Sequence, residues 1–373
     1  MILFMNFAPI RFMGGAERWC VDTARETSKY ERTLILSVSS GIANIYGRLV
    51  LGREFTNRIH RDEERTLPEN ISMSFSFFVP FSKNNRKIRQ LFSEARIIYT
   101  RYELLEISIL MYFGGFRILK KTVAGMHSPF LYPIPTSFFD YLHKIVYESP
   151  MSKFFLKRMV KIHTVNRRDK KFLEKTFAIR SVRYIPNWID SGISTKQSVR
   201  GKALSVLFAG ELNMRKGIDI VISIVRKKPD NMIFHIVGDG PFHGAISRLH
   251  DQKLCIYHQY VSHKELNHLY EKCDVLLFPS RAESFGLVVP EAMSHGLKIV
   301  DAKDITLELP ENIETSIPGY NFLDYYNGLR YVLTEKVKGK INREYIARYA
   351  RSTFAKKVVF PVFAKEILCI KTR

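Results

Sequence analysis

Asp274 to Lys298 reads DVLLFPSRAESFGLVVPEAMSHGLK. Four of the five residues from Asp274 to Phe278 are apolar and the run stops at Pro279, which predicts a buried strand. A polar turn with Glu283, Ser284 and Gly286 follows, and then a helical segment that carries Glu291 and ends near Gly296. One acid therefore sits just past the carboxyl end of a strand, and a second sits on the helix behind it. In open α/β sheets, ligands bind outside those strand ends. Gly286 permits close approach of backbone to a ligand, and a helix start presents free N–H groups to an anion.

The same alternation extends to both sides. Ser205 to Ala209 is predicted to be a strand, followed by GELNMRKG at 210–217 and a helix from Ile218 to Arg226. Cations at a helix start are disfavoured by the helix dipole unless an anion is present, so Arg215 and Lys216 mark an anion-binding position. Met232 to Val237 is a strand ending in Gly238-Asp239-Gly240-Pro241; Cys255 to His258 and Lys298 to Ala302 are further strands. Helices are predicted over Lys264 to Lys272, Leu323 to Thr334, Asn342 to Phe354 and Val358 to Ile370, and 303–318 reads as irregular.

In the first half, strands are predicted from Ile2 to Phe7, Leu34 to Val38, Arg96 to Thr100, Thr122 to Met126 and Lys161 to Val165, and Ser72 to Phe81 reads as strand and turn. Helices fall over Arg18 to Lys29, Asn84 to Ala95, Leu104 to Tyr112 and Arg168 to Thr176. Gly14-Gly15 lies between the first strand and the first helix, an anion-binding arrangement that a plain glycine turn also explains. His127 follows a strand end, the place of a catalytic group or of a loop histidine satisfied by backbone. Residues 130–150 are aromatic and Pro-rich, suited to lining or supporting a groove. The alternation in both halves predicts an α/β fold with parallel sheets.

A length of 373 residues with 46 % hydrophobic content suffices for two cores. The divisions expected are a first domain over 1–190, a polar linker over 191–204, a second domain over 205–355, and a last helix over 356–373. The formal net charge of +22 invites an anionic partner. The first 190 residues carry 31 Lys and Arg against 17 Asp and Glu, so the excess is biased toward that half. Between Lys153 and Arg183, Phe154, Phe155, Leu156 and Met159 interleave with Lys153, Lys157, Arg158 and Lys161. This pattern fits a basic amphipathic helix at an anionic membrane surface over 151–183, and equally a domain helix with one solvated basic face. Cys20, Cys255, Cys273 and Cys369 form no close pair, so no zinc or redox motif is indicated and a reducing compartment is the simplest setting. No apolar run reaches the ~18 residues of a membrane span, and MILFMNFAP reads as a first strand. The expected location is the cytoplasm, with peripheral contact at a membrane.

Glu283-Ser284-Phe285-Gly286-Leu287 through Glu291, with Pro279-Ser280 before it and Ala292-Met293 after it, resembles the Glu-x7-Glu signature of retaining glycosyltransferase family 4, the glycosyl transferases group 1. GELNMRKG is similar to that family's Gly-Arg-x4-Lys-Gly phosphate segment, with Lys216 at the family lysine and Glu211 at the usual arginine. Tyr184 to Asp190 resembles a Pro-Asn-Gly-Val-Asp element, with Trp188 replacing the glycine.

The resemblance implies the GT-B architecture: two Rossmann-like domains with parallel sheets facing across a cleft, and a last helix returning toward the first domain. It implies transfer of a sugar, of the hexosyl type, from a nucleotide-diphosphate sugar, with retention, no cofactor and no metal. The acceptor would be lipid-linked or a glycan. It places Gly14, Gly15, Arg215, Lys216, Ser284, Phe285, Gly286, Leu287 and Glu291 at the donor, Glu291 on the ribose, and His127 and Glu283 at the sugar. The acid at position 211 leaves a second reading open, a sugar-nucleotide or polyanion-binding protein without turnover. Binding to nucleic acid is invited by charge alone, with no recognised motif behind it.

Overall fold

The computed structural model describes residues 1–6, 15–37, 72–73, 83–128, 130–132, 134–190, 202–302 and 307–371. Gly14, the strand-and-turn reading beyond position 73 and most of the expected linker lie outside them. The chain divides into two compact units. The first comprises Met1–Leu131, Phe138–Asn187 and Val359–Arg373, and the second Tyr132–Ser137 and Trp188–Val358.

The first unit contains strands β1 (Ile2–Asn6), β2 (Thr33–Ser37), β3 (Ser72–Met73), β4 (Ile97–Thr100), β5 (Thr122–Met126), β6 (Lys161–Thr164) and β7 (Val182–Tyr184). They form one parallel sheet in the order β3-β2-β1-β4-β5-β6-β7. Every residue of β1, β4 and β5 is buried, as expected of parallel strands covered on both faces. The covering helices are α1 (Gly15–Ser28), α2 (Lys83–Glu94), α3 (Leu104–Gly114), α4 (Phe138–Tyr147), α5 (Pro150–Leu156) and α6 (Arg167–Lys175). Their starts are locally encoded. Ser149 caps α5 ahead of a proline at the first turn, and the Asn166 side chain accepts from Asp169 N to cap α6.

The second unit has β8 (Leu204–Ala209), β9 (Met232–Val237), β10 (Ile256–His258), β11 (Val275–Phe278), β12 (Lys298–Ala302) and β13 (Glu314–Ile317). These again form a parallel sheet, in the order β10-β9-β8-β11-β12-β13. Helices α7 (Ile218–Arg226), α8 (His243–Asp251), α9 (His263–Lys272), α10 (Val288–Ser294), α11 (Phe322–Val337) and α12 (Arg343–Phe354) follow, and α13 (Lys356–Glu366) ends the chain's regular structure. The N-terminus of α9 is a capping box: Ser262 accepts from Glu265 N while the Glu265 side chain accepts from Ser262 N. Val206, Phe208, Val221, Ile224, Val275, Leu277 and Val300 pack in the core between this sheet and its helices.

One expectation is corrected. The stretch 303–318 is not wholly irregular, because Glu314–Ile317 adds an edge strand to β12. Its sequence, ETSI, is short and has three polar residues of four, so pairing rather than local pattern makes it a strand. Residues 130–150 include the helix α4, with Tyr141, Leu142 and Ile145 on its exposed side. The basic stretch includes the strand and the helix expected from Lys161 to Val165 and from Arg168 to Thr176, present as β6 and α6. It runs through α5, a turn, β6, α6 and β7, and Leu156 and Met159 are buried in the core. Its cations are dispersed: Arg158 lies over the Phe154 ring at 3.4 Å, Arg167 over Tyr184 at 4.7 Å, and Arg183 pairs with Glu366 at 3.4 Å. None of the four cysteines takes part in a disulfide. Among the described residues, no helix is long and apolar enough to cross a membrane.

Asp274, at the head of β11, ties the second unit together. Its Oδ2 accepts from Ser205 N at 2.9 Å and from Lys336 Nζ at 2.6 Å, and Arg343 lies 3.8 Å from Oδ1. Arg343 also donates to the carbonyls of Cys273 at 2.6 Å and His295 at 3.0 Å, at the ends of α9 and α10. All three charges are nearly buried, with side-chain exposures of 7, 10 and 8 %. Removing one partner of a buried ion pair leaves the others uncompensated, at roughly 3–5 kcal/mol. Asp274→Ala is therefore expected to lower unfolding free energy by about that amount, read from urea denaturation.

Candidate functional site

Each sheet has a point where its strand order reverses, and in such sheets the crevice outside the strand ends at that point is where ligands bind. In the second unit it falls between β8 and β11, which are adjacent and parallel. The loop after β8 carries Glu211, Arg215 and Lys216; the loop after β11 carries Ser280, Arg281 and Glu283.

The two loops are fastened to each other. Arg281 N donates to the Arg215 carbonyl at 2.8 Å, and the Arg281 guanidinium grips both carboxylate oxygens of Asp219 at 2.7 Å. Gly217 has φ of 73°, and a Cβ there would stand 2.1 Å from the Pro279 carbonyl oxygen, so only glycine permits this approach. Asn213 caps the 3-10 turn Met214–Lys216 by accepting from Lys216 N at 2.9 Å, which fixes the start of the lysine side chain.

Lys216 Nζ then donates to Glu283 Oε1, which also accepts from Ser280 Oγ at 2.8 Å. Glu283 is 6 % exposed. Burial alone would raise its pKa, but the charges of Lys216 and Arg215 and the hydrogen bonds from Lys216 and Ser280 outweigh that and hold it below the usual carboxylate range. Glu283 is thus an ionised acceptor. Arg215 lies 3.7 Å from Glu211, so the acid at the unusual position has a cation beside it, and the pairs Glu211–Arg215 and Glu283–Lys216 each balance.

The other predicted residues of this loop and helix fall close by. Ser284 and Phe285 are buried, Gly286 takes a left-handed φ of 69°, and Leu287 is the residue before α10. Glu291, in the first turn of α10, accepts from the Tyr270 hydroxyl at 3.1 Å. Arg281 and Asp219 were not singled out in the sequence. The available signal was a cation two residues before the first glutamate and an acid opening the helix after Lys216.

In the first unit the reversal falls between β1 and β4. Asn6 ends β1, Arg101 follows β4, and Arg101 Nη1 donates to Asn6 Oδ1 at 2.9 Å. Gly15 opens α1. His127, just past β5, is 5 % exposed. Its ring lies 3.8 Å from that of Trp19 and its Nε2 is 2.7 Å from the Tyr99 hydroxyl. That hydroxyl is also 2.6 Å from His163 Nδ1. Burial, then the neighbouring His163 and Arg101, push the His127 pKa well below its ordinary value. Burial likewise lowers His163 to about 4. Burial raises the Glu106 carboxyl to about 7, against Arg101 and the hydrogen bond from Thr100. Asn6, Tyr99, Arg101 and His163 carried no motif; only the sheet order assembles them with His127.

Comparison with known proteins accords with this geometry. Residues 192–320 match the family Glycosyl transferases group 1. An uncharacterised 41.2 kDa protein in the cps region of Klebsiella pneumoniae is 32 % identical over 132 residues, covering 35 % of this chain and 36 % of that protein. Sulfoquinovosyl transferase SQD2 of Arabidopsis thaliana is 32 % identical over 155 residues, covering 39 % and 30 %. The chain thus spans about a third of the length of these curated relatives. The Anabaena protein HepE, solved in complex with UDP-glucose, superposes with a TM-score of 0.71 over 99 % of both chains at 16 % identity.

The buried histidines set a pH dependence. The unfolded chain takes up a proton at His163 near its ordinary pKa of 6.5, whereas the folded chain does so only near 4. This stability is complete above 6.5 and is lost as pH falls toward 4. Glu106 acts in the opposite sense, since its burial cost is relieved on acidification. Between pH 7 and 5 the His163 contribution changes by about 2 kcal/mol. His163→Asn is therefore expected to lose that much less stability than wild type over this interval, in urea denaturation at each pH.

Residues 192–320 thus match the glycosyl transferases group 1 family, and the order of the sheets places the chain in the GT-B fold class.

Proposed function

We propose that this chain is a retaining glycosyltransferase that moves a hexosyl group from a nucleotide-diphosphate sugar to a lipid-linked or glycan acceptor. The observation that carries the reading is the Lys216–Glu283 pair at the strand-order reversal of a group 1 domain. Lys216, with Arg215 beside it, meets the diphosphate and stabilises it as it departs. Backbone at Phe285, Gly286 and Leu287, with Ser284, adds donors. Gly14 and Gly15 of the first unit are assigned to the donor by resemblance. Glu291 accepts from the ribose hydroxyls. Glu283, ionised and therefore an acceptor, orients the sugar through its hydroxyls. When the diphosphate draws Lys216 away, Glu283 regains acceptor capacity for the sugar. His127 is assigned the sugar near its anomeric carbon, where oxocarbenium character develops. The departing phosphate helps to take the acceptor's proton. UDP-glucose in HepE and the transferase name of SQD2 support the donor class.

A second reading, nucleotide-sugar binding without turnover, is favoured by one observation: the charges of Glu211, Arg215, Lys216 and Glu283 balance before any diphosphate arrives.

Nucleotide release from UDP-, GDP- and ADP-sugars, with and without lipid-linked acceptors, separates the two readings. Turnover of one donor, unchanged by EDTA and lowered about 100-fold in kcat by Glu283→Gln with a smaller change in donor affinity, is the expected outcome. Glu291→Ala should weaken nucleotide binding about tenfold, the ~1.4 kcal/mol of a lost hydrogen-bond pair. Donor binding with no release under any acceptor would sink the transferase reading.

Glu211→Gln tests the phosphate loop separately. Freeing Arg215 from the acid is expected to tighten nucleoside diphosphate binding about fivefold, the ~1 kcal/mol of a partly exposed charge interaction, by calorimetry.

A further inference from the structure

Helix α4 turns apolar side chains to both of its sides. On the inner side Tyr147 is buried, with the rings of Tyr102 and Phe130 at 5.8 and 5.9 Å and His143 stacked on it at 3.8 Å. Val146 packs against the core of the first unit. On the outer side Phe138, Tyr141, Leu142 and Ile145 recur at the i, i+3, i+4, i+7 spacing of one helix face, yet they are 75, 57, 45 and 68 % exposed. The inner contacts hold the helix down, so the outer stripe is a fixed feature of the surface. Apolar side chains grouped in water in this way mark an interaction face.

The chain carries the same character into α5, which packs against α4. Met151 and Phe154, three positions apart, are exposed, and the ring of the exposed Phe116 stands 5.9 Å from that of Phe154. The charge around them is mostly of one sign. Residues 116–121 carry Arg117, Lys120 and Lys121, and residues 138–158 carry Lys144, Lys153, Lys157 and Arg158 against Asp140 and Glu148. Arg117, Lys120, Lys157 and Arg158 are exposed. The Arg158 guanidinium lies over the Phe154 ring at 3.4 Å, which holds a cation at the edge of the apolar surface.

Aromatic and aliphatic side chains set among cations suit the boundary between acidic headgroups and acyl chains, where the apolar groups leave water and the cations stay with phosphate. A second copy of this chain on the same face would bring these like charges against one another across a twofold axis. A nucleic acid would engage the cations and leave Leu142 and Ile145 in water. We propose that the outer face of α4, continued by Met151 and Phe154 of α5, docks the first unit on an anionic membrane surface, with α4 lying in the interface rather than crossing it. The inference stands apart from the transferase reading, because it uses no residue assigned to the donor.

The test is co-sedimentation of the full chain with vesicles of phosphatidylcholine, alone or mixed with phosphatidylglycerol. Wild type is expected to bind the anionic vesicles about tenfold more strongly than the neutral ones, the gain of a few cations near an anionic surface. The double variant Leu142→Gln/Ile145→Gln is expected to bind the anionic vesicles about tenfold more weakly than wild type, with an unchanged circular dichroism spectrum. Tyr141→Trp adds a reporter whose emission, by difference from wild type, moves to shorter wavelength on anionic vesicles. Wild type that stays in solution with anionic vesicles, or binding that the double variant retains in full, overturns the proposal. So does a bound Tyr141→Trp protein with unshifted emission, a reading that holds even if the double variant does not fold. A dimer that the double variant abolishes, in protein that ignores vesicles, gives the face to a second copy. Salt-sensitive binding of an oligonucleotide without vesicle binding gives the cations to nucleic acid, and either result overturns the proposal. Failure to find any donor is the failure of the transferase reading and leaves the sedimentation result untouched.

Discussion

Glu283 is a carboxylate that the fold has taken out of water, and a buried charge persists only where cations and donors converge on it. Lys216 and Ser280 do so directly, and Arg215 adds its field. The rest of the second unit's strand-end chemistry follows from that demand. The loops after β8 and β11 must approach within a glycine's clearance, which Gly217 supplies against Pro279. They must also be held in register, which the Arg281–Asp219 pair and the bond from Arg281 N to Arg215 O achieve. The buried acid is thus also what draws the loop after β8 into shape.

The first unit solves a different problem with neutral groups. Its strand ends carry two imidazoles, a phenol and aromatic rings. Neutral hydrogen-bonded rows cost less to bury than charges, and they carry direction. Charge gathers at the strand ends of the second unit, and oriented neutral groups at those of the first.

The strand–turn–helix around Glu283 and Glu291 was legible because it combines a buried apolar run, a glycine turn and acids at fixed spacing. Lys216 was legible because a cation at a helix start is locally unfavourable without an anion. The pairing of Arg215 with Glu211 was not, since it requires knowing which way two side chains turn from one loop. The basic stretch 153–183 kept two readings because interleaved charges and aromatics look alike in an amphipathic helix and in a chain that dips into a core. Leu156 and Met159 are buried by contacts that no local pattern shows. The edge strand Glu314–Ile317 was missed for the related reason that its partner, β12, defines it.

The sequence by itself determined the α/β class and most strand and helix positions. These depend on periodicity and on residue chemistry within about ten positions of one another. Only the tertiary structure decided that Lys216 meets Glu283, that Asp274 gathers Lys336 and Arg343, and that Tyr99, His127 and His163 form one row. Those groups lie far apart along the chain, and the order of strands in the sheet is what closes the distance.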